Sequence, residues 1–175
     1  MVGSVSADSV IGGRIHPPAI IGKLPGHGDF LARGVDYGLR ESLDMWMSEW
    51  IELARKDLTD RFEAAYETAA PWLFEGSSSN AVFMPSVDAV GRWFPILAVC
   101  SANVRIQEIY DTLIAALESA AKVDALHEQL GALSGDVSED ARNESGDWFL
   151  PDGAEPTLPS PSDVPSWSEM REHFA

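Results

Sequence analysis

Leu39, Leu43, Trp46, Trp50, Ala54 and Leu58 recur at steps of four, three, four, four and four, the stripe of a long amphipathic helix. In proteins such a helix draws most of its stability from packing its apolar face, so that side requires another layer to cover it. Trp46 and Trp50 fall on the stripe and read as core anchors rather than stacking platforms. Asp36 precedes the helix, where a carboxylate can cap the first amides, and Arg55 and Lys56 sit near its end, where cations suit the dipole.

The covering layer is legible around it. Residues 19–24 form an apolar run ended by Pro25, a buried strand leading into a loop. A second helical piece carries Phe62, Ala65, Tyr66 and Ala69 and stops at Pro71. Residues 72–74 and 81–84 read as strands joined by the Gly/Ser turn at 76–80, a hairpin. Residues 93–99 read as a central strand. From Ile106 the helical period returns through Ile109, Leu113, Leu117 and Ala120, and it continues or kinks through Leu126, Leu130 and Leu133. This order predicts an α/β (α+β) fold, a single domain with a mixed central β-sheet flanked by helices in a three-layer αβα-like arrangement. At 175 residues the chain can bury one sizeable core.

Residues 1–17, Gly/Ser-rich and closed by a proline pair, read as a loose leader, and 18–150 as the domain. Beyond Ser134 the chain carries ten acids against two arginines, and five prolines. Within it 147–150 reads as a docked strand, and 151–175 as an extended acidic, Pro-rich tail ending in a short amphipathic piece around Trp167, Met170 and Phe174. The formal charge of −16 repels nucleic acid and anionic lipid and favours a basic protein partner. Cys100 alone supports neither a disulfide framework nor a zinc site and follows an apolar run, so it reads as a small buried hydrophobe. The first residues lack the basic and apolar regions of a secretory signal, and no apolar run reaches membrane-spanning length. The expectation is a soluble, cytoplasmic protein with no cofactor and no membrane insertion.

Two loops concentrate the unusual residues: GKLPGHGDFLARG at 22–34 and MPSVDAVGRWFP at 84–95. Gly22, Gly26 and Gly28 with Lys23 suggest a phosphate cradle. However, no Gly-Lys-Ser/Thr follows, and Pro25 removes an amide that such a nest needs. His27, Asp29 and Asp88 are too few to define a metal site; His27 reads as a turn residue bonded to a backbone carbonyl. Ser86, His27 and Asp88 or Asp29 contain the elements of a hydrolase triad, but Ser86 lies on no G-x-S-x-G elbow. Structurally, Asp29 can cap local amides, Ser86 and Asp88 can close side-chain turns, and Gly91 permits a tight bend. Arg33 and Arg92 either pair with Asp29 or Asp88 across the loops or stand solvated.

The first loop resembles the TagF/ImpM family signature G-K-x-P-x-x-G-D-F-x-x-R at Gly22, Lys23, Pro25, Gly28, Asp29, Phe30 and Arg33. The second resembles P-S-x-D-x-x-G-R-x-F-P at Pro85, Ser86, Asp88, Gly91, Arg92, Phe94 and Pro95. Trp46 and the 71–74 segment also fit. The resemblance implies a mixed sheet between helices and a cytoplasmic, non-enzymatic accessory protein that restrains bacterial type VI secretion post-translationally. The partner it implies is an Fha-type scaffold. The expected partner-binding or loop-buttressing residues are Lys23, Pro25, His27, Asp29, Phe30, Arg33, Ser86, Asp88, Gly91, Arg92 and Phe94, on loops lying side by side. The alternatives are a small Ser86/His27 hydrolase, a purely structural role for both motifs, or an acidic tail that attracts a basic partner.

Overall fold

The periodic stripe forms helix α1, Tyr37–Leu58, and buries Leu39, Leu43, Trp46, Met47, Trp50, Ile51 and Ala54. The protein is described by a computed structural model covering residues 13–133 and 146–174. Beneath α1 lies a six-stranded sheet of β1 (Ile15–Gly22), β2 (Leu31–Val35), β3 (Trp72–Glu75), β4 (Ser79–Met84), β5 (Ile96–Ser101) and β6 (Trp148–Phe149), in the order β2-β1-β5-β4-β3-β6. Every pairing is antiparallel. Helices α3 (Ile106–Glu118) and α4 (Val123–Ala132) cover the opposite face, completing the three layers expected from the sequence. The six-residue α2, Phe62–Glu67, follows α1.

Antiparallel strands usually alternate buried and exposed residues, yet β4, β5 and the second half of β1 are buried almost throughout because helices cover both faces. Alternation survives as a division between two cores. Ala81 and Phe83 of β4, with Leu97 and Val99 of β5, face α1. Val82, Met84, Ile96, Ala98 and Cys100 face α3 and α4. Cys100 is buried as expected, and that burial pushes its thiol up to about 12.

Four local readings change. Asp36 occupies the N-cap position of α1 but its side chain bonds none of the helix amides; the carboxylate accepts instead from the Arg14 N–H at 2.9 Å and from His16 at 3.1 Å. Strand β1 begins at Ile15, inside the expected leader. The register with β2 shifts between Ile15 and Ile20, and β5 pairs only from Ala19, so Pro17 and Pro18 sit where the ladder needs no donor. The segment 31–35, read as loop, is the edge strand β2. The helical period after Ile106 breaks at Ala120, whose φ of 48° ends α3 before α4 begins.

The largest difference lies at the C-terminal end. Leu158, Val164, Trp167, Met170 and Phe174 are buried in the α1-side core. Trp50 Nε1 donates to the Pro159 carbonyl at 2.9 Å, and the short helix α5, Trp167–Met170, places Trp167 5.6 Å from Trp46 between ring centroids. The acids and prolines of 151–174 therefore belong to a docked segment rather than an extended tail. Residues 136–144, with four of the acids, lie outside the described residues.

Candidate functional site

Because β1 neighbours β5 in the sheet, the β1–β2 and β4–β5 connections leave the same end side by side. Gly22 pairs with both Leu31 and Ile96, and Ile96 with Met84, so four strands start or stop at one level. The chains approach closely there. Gly22 has φ 125°, and a Cβ on it would collide with the Pro95 carbonyl, which accepts from Lys23 N–H at 3.3 Å. Ala89 N–H donates to the His27 carbonyl at 2.8 Å, joining the two loop tips.

Asp88, 2% exposed, is the hub. One carboxylate oxygen accepts from the Val90 N–H at 3.1 Å and the Arg92 N–H at 2.9 Å. The other accepts from Arg92 Nε and from Lys23 Nζ at 3.3 Å. Burial by itself would raise its pKa. The amide and guanidinium of Arg92, the Val90 amide and the Lys23 ammonium outweigh that and hold the carboxyl well below the usual range. Arg92 also reaches the Gly28 carbonyl at 2.9 Å, and Gly91, at φ 82°, makes the bend that brings its neighbours onto Asp88. Lys23, its side chain 17% exposed, lies 5.3 Å from the Phe94 ring centroid. Phe94 in turn meets Phe30 edge-on at 5.9 Å.

Ser86 Oγ donates to the Lys23 carbonyl at 2.7 Å, a third link between the loops. Its backbone is held by a residue the sequence reading left in the core. The Tyr66 hydroxyl accepts from Ser86 N–H at 3.1 Å and donates to the Ser86 carbonyl at 3.2 Å. Burial pushes that phenol above its ordinary range. The only signal in the sequence was a tyrosine where the helical stripe would accept phenylalanine.

His27 differs from its expected role. Its Nε2 accepts from Val123 N–H at 3.0 Å, an amide of the first turn of α4, rather than bonding a carbonyl. Lys122, at the N-cap position, supplies no side-chain cap, and its Nζ donates to the Gly26 carbonyl at 2.7 Å. The first loop thus caps a helix 96 residues away. His27→Ala is expected to cost about 1 kcal/mol, with faster amide exchange confined to the first turn of α4. Exchange unchanged at Val123 would contradict the capping role.

These bonds also engage the residues of the catalytic and metal readings. Ser86 gives its proton to a carbonyl and His27 Nε2 is occupied by an amide, so the Ser86/His27 dyad does not form. Asp88 has four donors on its carboxylate, and His27, Asp29 and Asp88 assemble no ligand set. Arg33 pairs with Asp124 at 3.1 Å, not with Asp29 or Asp88. Among the described residues Asp29 makes no hydrogen bond or ion pair, so it caps no local amide. It is exposed, as are its neighbour Gly28 and, on the second loop, Val90, which is 74% exposed. A Cβ on Gly28 would meet nothing within 4 Å, so the fold does not require glycine there. No described helix is long and apolar enough to cross a membrane.

No curated protein matches the chain. The crystal structure of PA0076 from Pseudomonas aeruginosa PAO1 is similar, with a TM-score of 0.57 and 25% sequence identity over 73% of this chain and 70% of that one. The family model for the TagF N-terminal domain, described as type VI secretion system-associated, matches residues 19–141, a span containing both loops and five of the six strands in whole or part. The chain belongs to this TagF N-terminal domain family, whose association is with type VI secretion.

Proposed function

We propose that this protein is a non-enzymatic, cytoplasmic regulator that restrains the type VI secretion machine by binding one of its components through the paired loops, with an Fha-type scaffold as the partner. One observation supports the reading most strongly. Lys23, His27, Ser86, Asp88 and Arg92 are consumed in bracing the loops, whereas the side chains of Asp29 and Val90 stand outward and the space over the Gly28 Cα is open. A rigid base that presents a charge, an apolar side chain and bare backbone is suited to protein recognition.

The division of labour selects the test. Arg92 is a poor probe of binding because its removal would loosen Asp88. Asp29→Arg/Val90→Asp alters only outward groups, so its circular dichroism and melting temperature should match the wild type. The purified protein and this variant are offered the type VI components of the same organism, the Fha-type scaffold among them. The expected result is capture by the wild type and at least about tenfold weaker capture by the variant. Equal capture by both would move the interface off the loops, and no capture by the wild type would remove the regulatory reading.

A further inference from the structure

Behind the loop tips, a pocket of about 400 Å³ opens between the second loop, α2 and the end of α3. Its apolar walls are Pro25, Pro85, Tyr66, Trp93 and Leu117. They are set in advance: Tyr66 is fixed through its hydroxyl to Ser86 and meets Trp93 edge-on at 5.2 Å, while Val87 and Trp93 form a bridge across the loop. Preformed aromatic walls of this size suit a single large side chain, because little freedom remains to be lost on binding.

The rim of the pocket is acidic. Glu67 is the last residue of α2 and Glu118 the last of α3, and both line the pocket. A carboxylate at a helix C-terminus is locally unfavourable, since it adds to the negative end of the dipole. Lys23 and Arg92 pair with Asp88, Arg55 lies over the Phe62 ring at 4.7 Å, and Lys122 donates to the Gly26 carbonyl. Among the described residues neither glutamate has an ion-pair partner. The result is an apolar slot with two carboxylates on its rim.

We infer that this pocket receives an aromatic or large aliphatic side chain from a foreign, positively charged peptide segment, whose adjacent Lys or Arg meets Glu67 and Glu118. The charge of the chain's other segments does not complement this rim. Residues 1–12 and 134–145 hold one cation, Arg142, against Asp8, Asp136, Glu139, Asp140 and Glu144. A second copy, at −16, would be repelled. The open mouth favours a side chain presented on a longer segment over an enclosed small molecule. This inference rests on the protein-binding reading above but concerns residues that the loop-tip variant leaves intact.

The test pans a library of random 12-residue peptides displayed on phage against the full chain. The best clone is then made as a synthetic peptide, and its affinity measured by fluorescence anisotropy. Glu67→Gln/Glu118→Gln, both exposed and near-isosteric, removes the charge while keeping the fold. Enriched sequences should pair an aromatic or aliphatic residue with Lys or Arg within two positions. Their affinity should fall about tenfold in the glutamine variant, weaken with salt and stay unchanged in Asp29→Arg/Val90→Asp. No enrichment, enrichment without cations, or equal affinity for the glutamine variant would overturn the pocket assignment. None of those results bears on capture through the loop tips, which the preceding experiment decides by itself.

Discussion

Asp88→Asn is expected to lower the melting temperature by on the order of 10 °C at pH 7, the largest loss from any single polar substitution in this protein. The asparagine side chain can still accept from the Val90 and Arg92 amides through one oxygen. It cannot neutralise Lys23, whose half-buried ammonium would then lie beside Phe94 without its counter-charge. The loss should depend on pH in a direction fixed by linkage. Asp88 has a folded pKa depressed below its ordinary 3.8, so the unfolded chain binds more protons in the acid range. Its contribution is therefore fully present above that ordinary value and is lost as pH falls through the folded one. Asp36, lowered by the Arg14 amide and His16, acts with the same sign. The gap between thermal melts of wild type and Asp88→Asn should narrow progressively below about pH 4 and down to pH 2, because protonated aspartic acid resembles asparagine. A gap that stayed constant to pH 2 would show that the carboxylate's charge is not what holds the loops.

The sequence carried the geometry of α1 and the hairpin of β3 and β4 because period and turn residues act over a few positions. It also placed the two loops together, through the family resemblance rather than through spacing. It did not assign the ion pairs. Arg92 meets Asp88 four residues back in its own loop, through the bend at Gly91, whereas Arg33, on an edge strand, turns to Asp124 of α4, which only the fold brings near. His27 was expected to bond a carbonyl nearby, and its partner is an amide brought over by the α3–α4 turn, a contact no local pattern encodes. Asp29 and Asp88, similar as letters, separate into an outward charge and a buried hub. That separation makes a binding face testable apart from its support.

The C-terminal segment misleads for a different reason. Averaged over 151–175, its acids and prolines describe a chain that cannot bury enough apolar surface to stay ordered. Burial, however, is decided residue by residue. Leu158, Val164, Trp167, Met170 and Phe174 all face inward, and the acids between them do not enter the core. Phe174 is fully buried against Phe74 and Trp167, with ring centroids 5.5 and 5.6 Å away, and its carbonyl accepts from buried Ser79 Oγ. Phe174→Ala is therefore expected to cost about 3–5 kcal/mol. Deleting residues 151–175 should cost more, because it uncovers Trp46, Phe74 and Trp148 together and leaves the Trp50 N–H without the Pro159 carbonyl. The truncated chain should lose its near-ultraviolet circular dichroism and bind an apolar dye, as a partly collapsed state does. An acidic appendage whose task is only to attract a basic partner would behave oppositely, with melting unchanged and binding weakened. If truncation left the melting temperature within two or three degrees of the full chain, the segment would be an appendage after all, and the aromatic cluster beneath it would be stable without its cover.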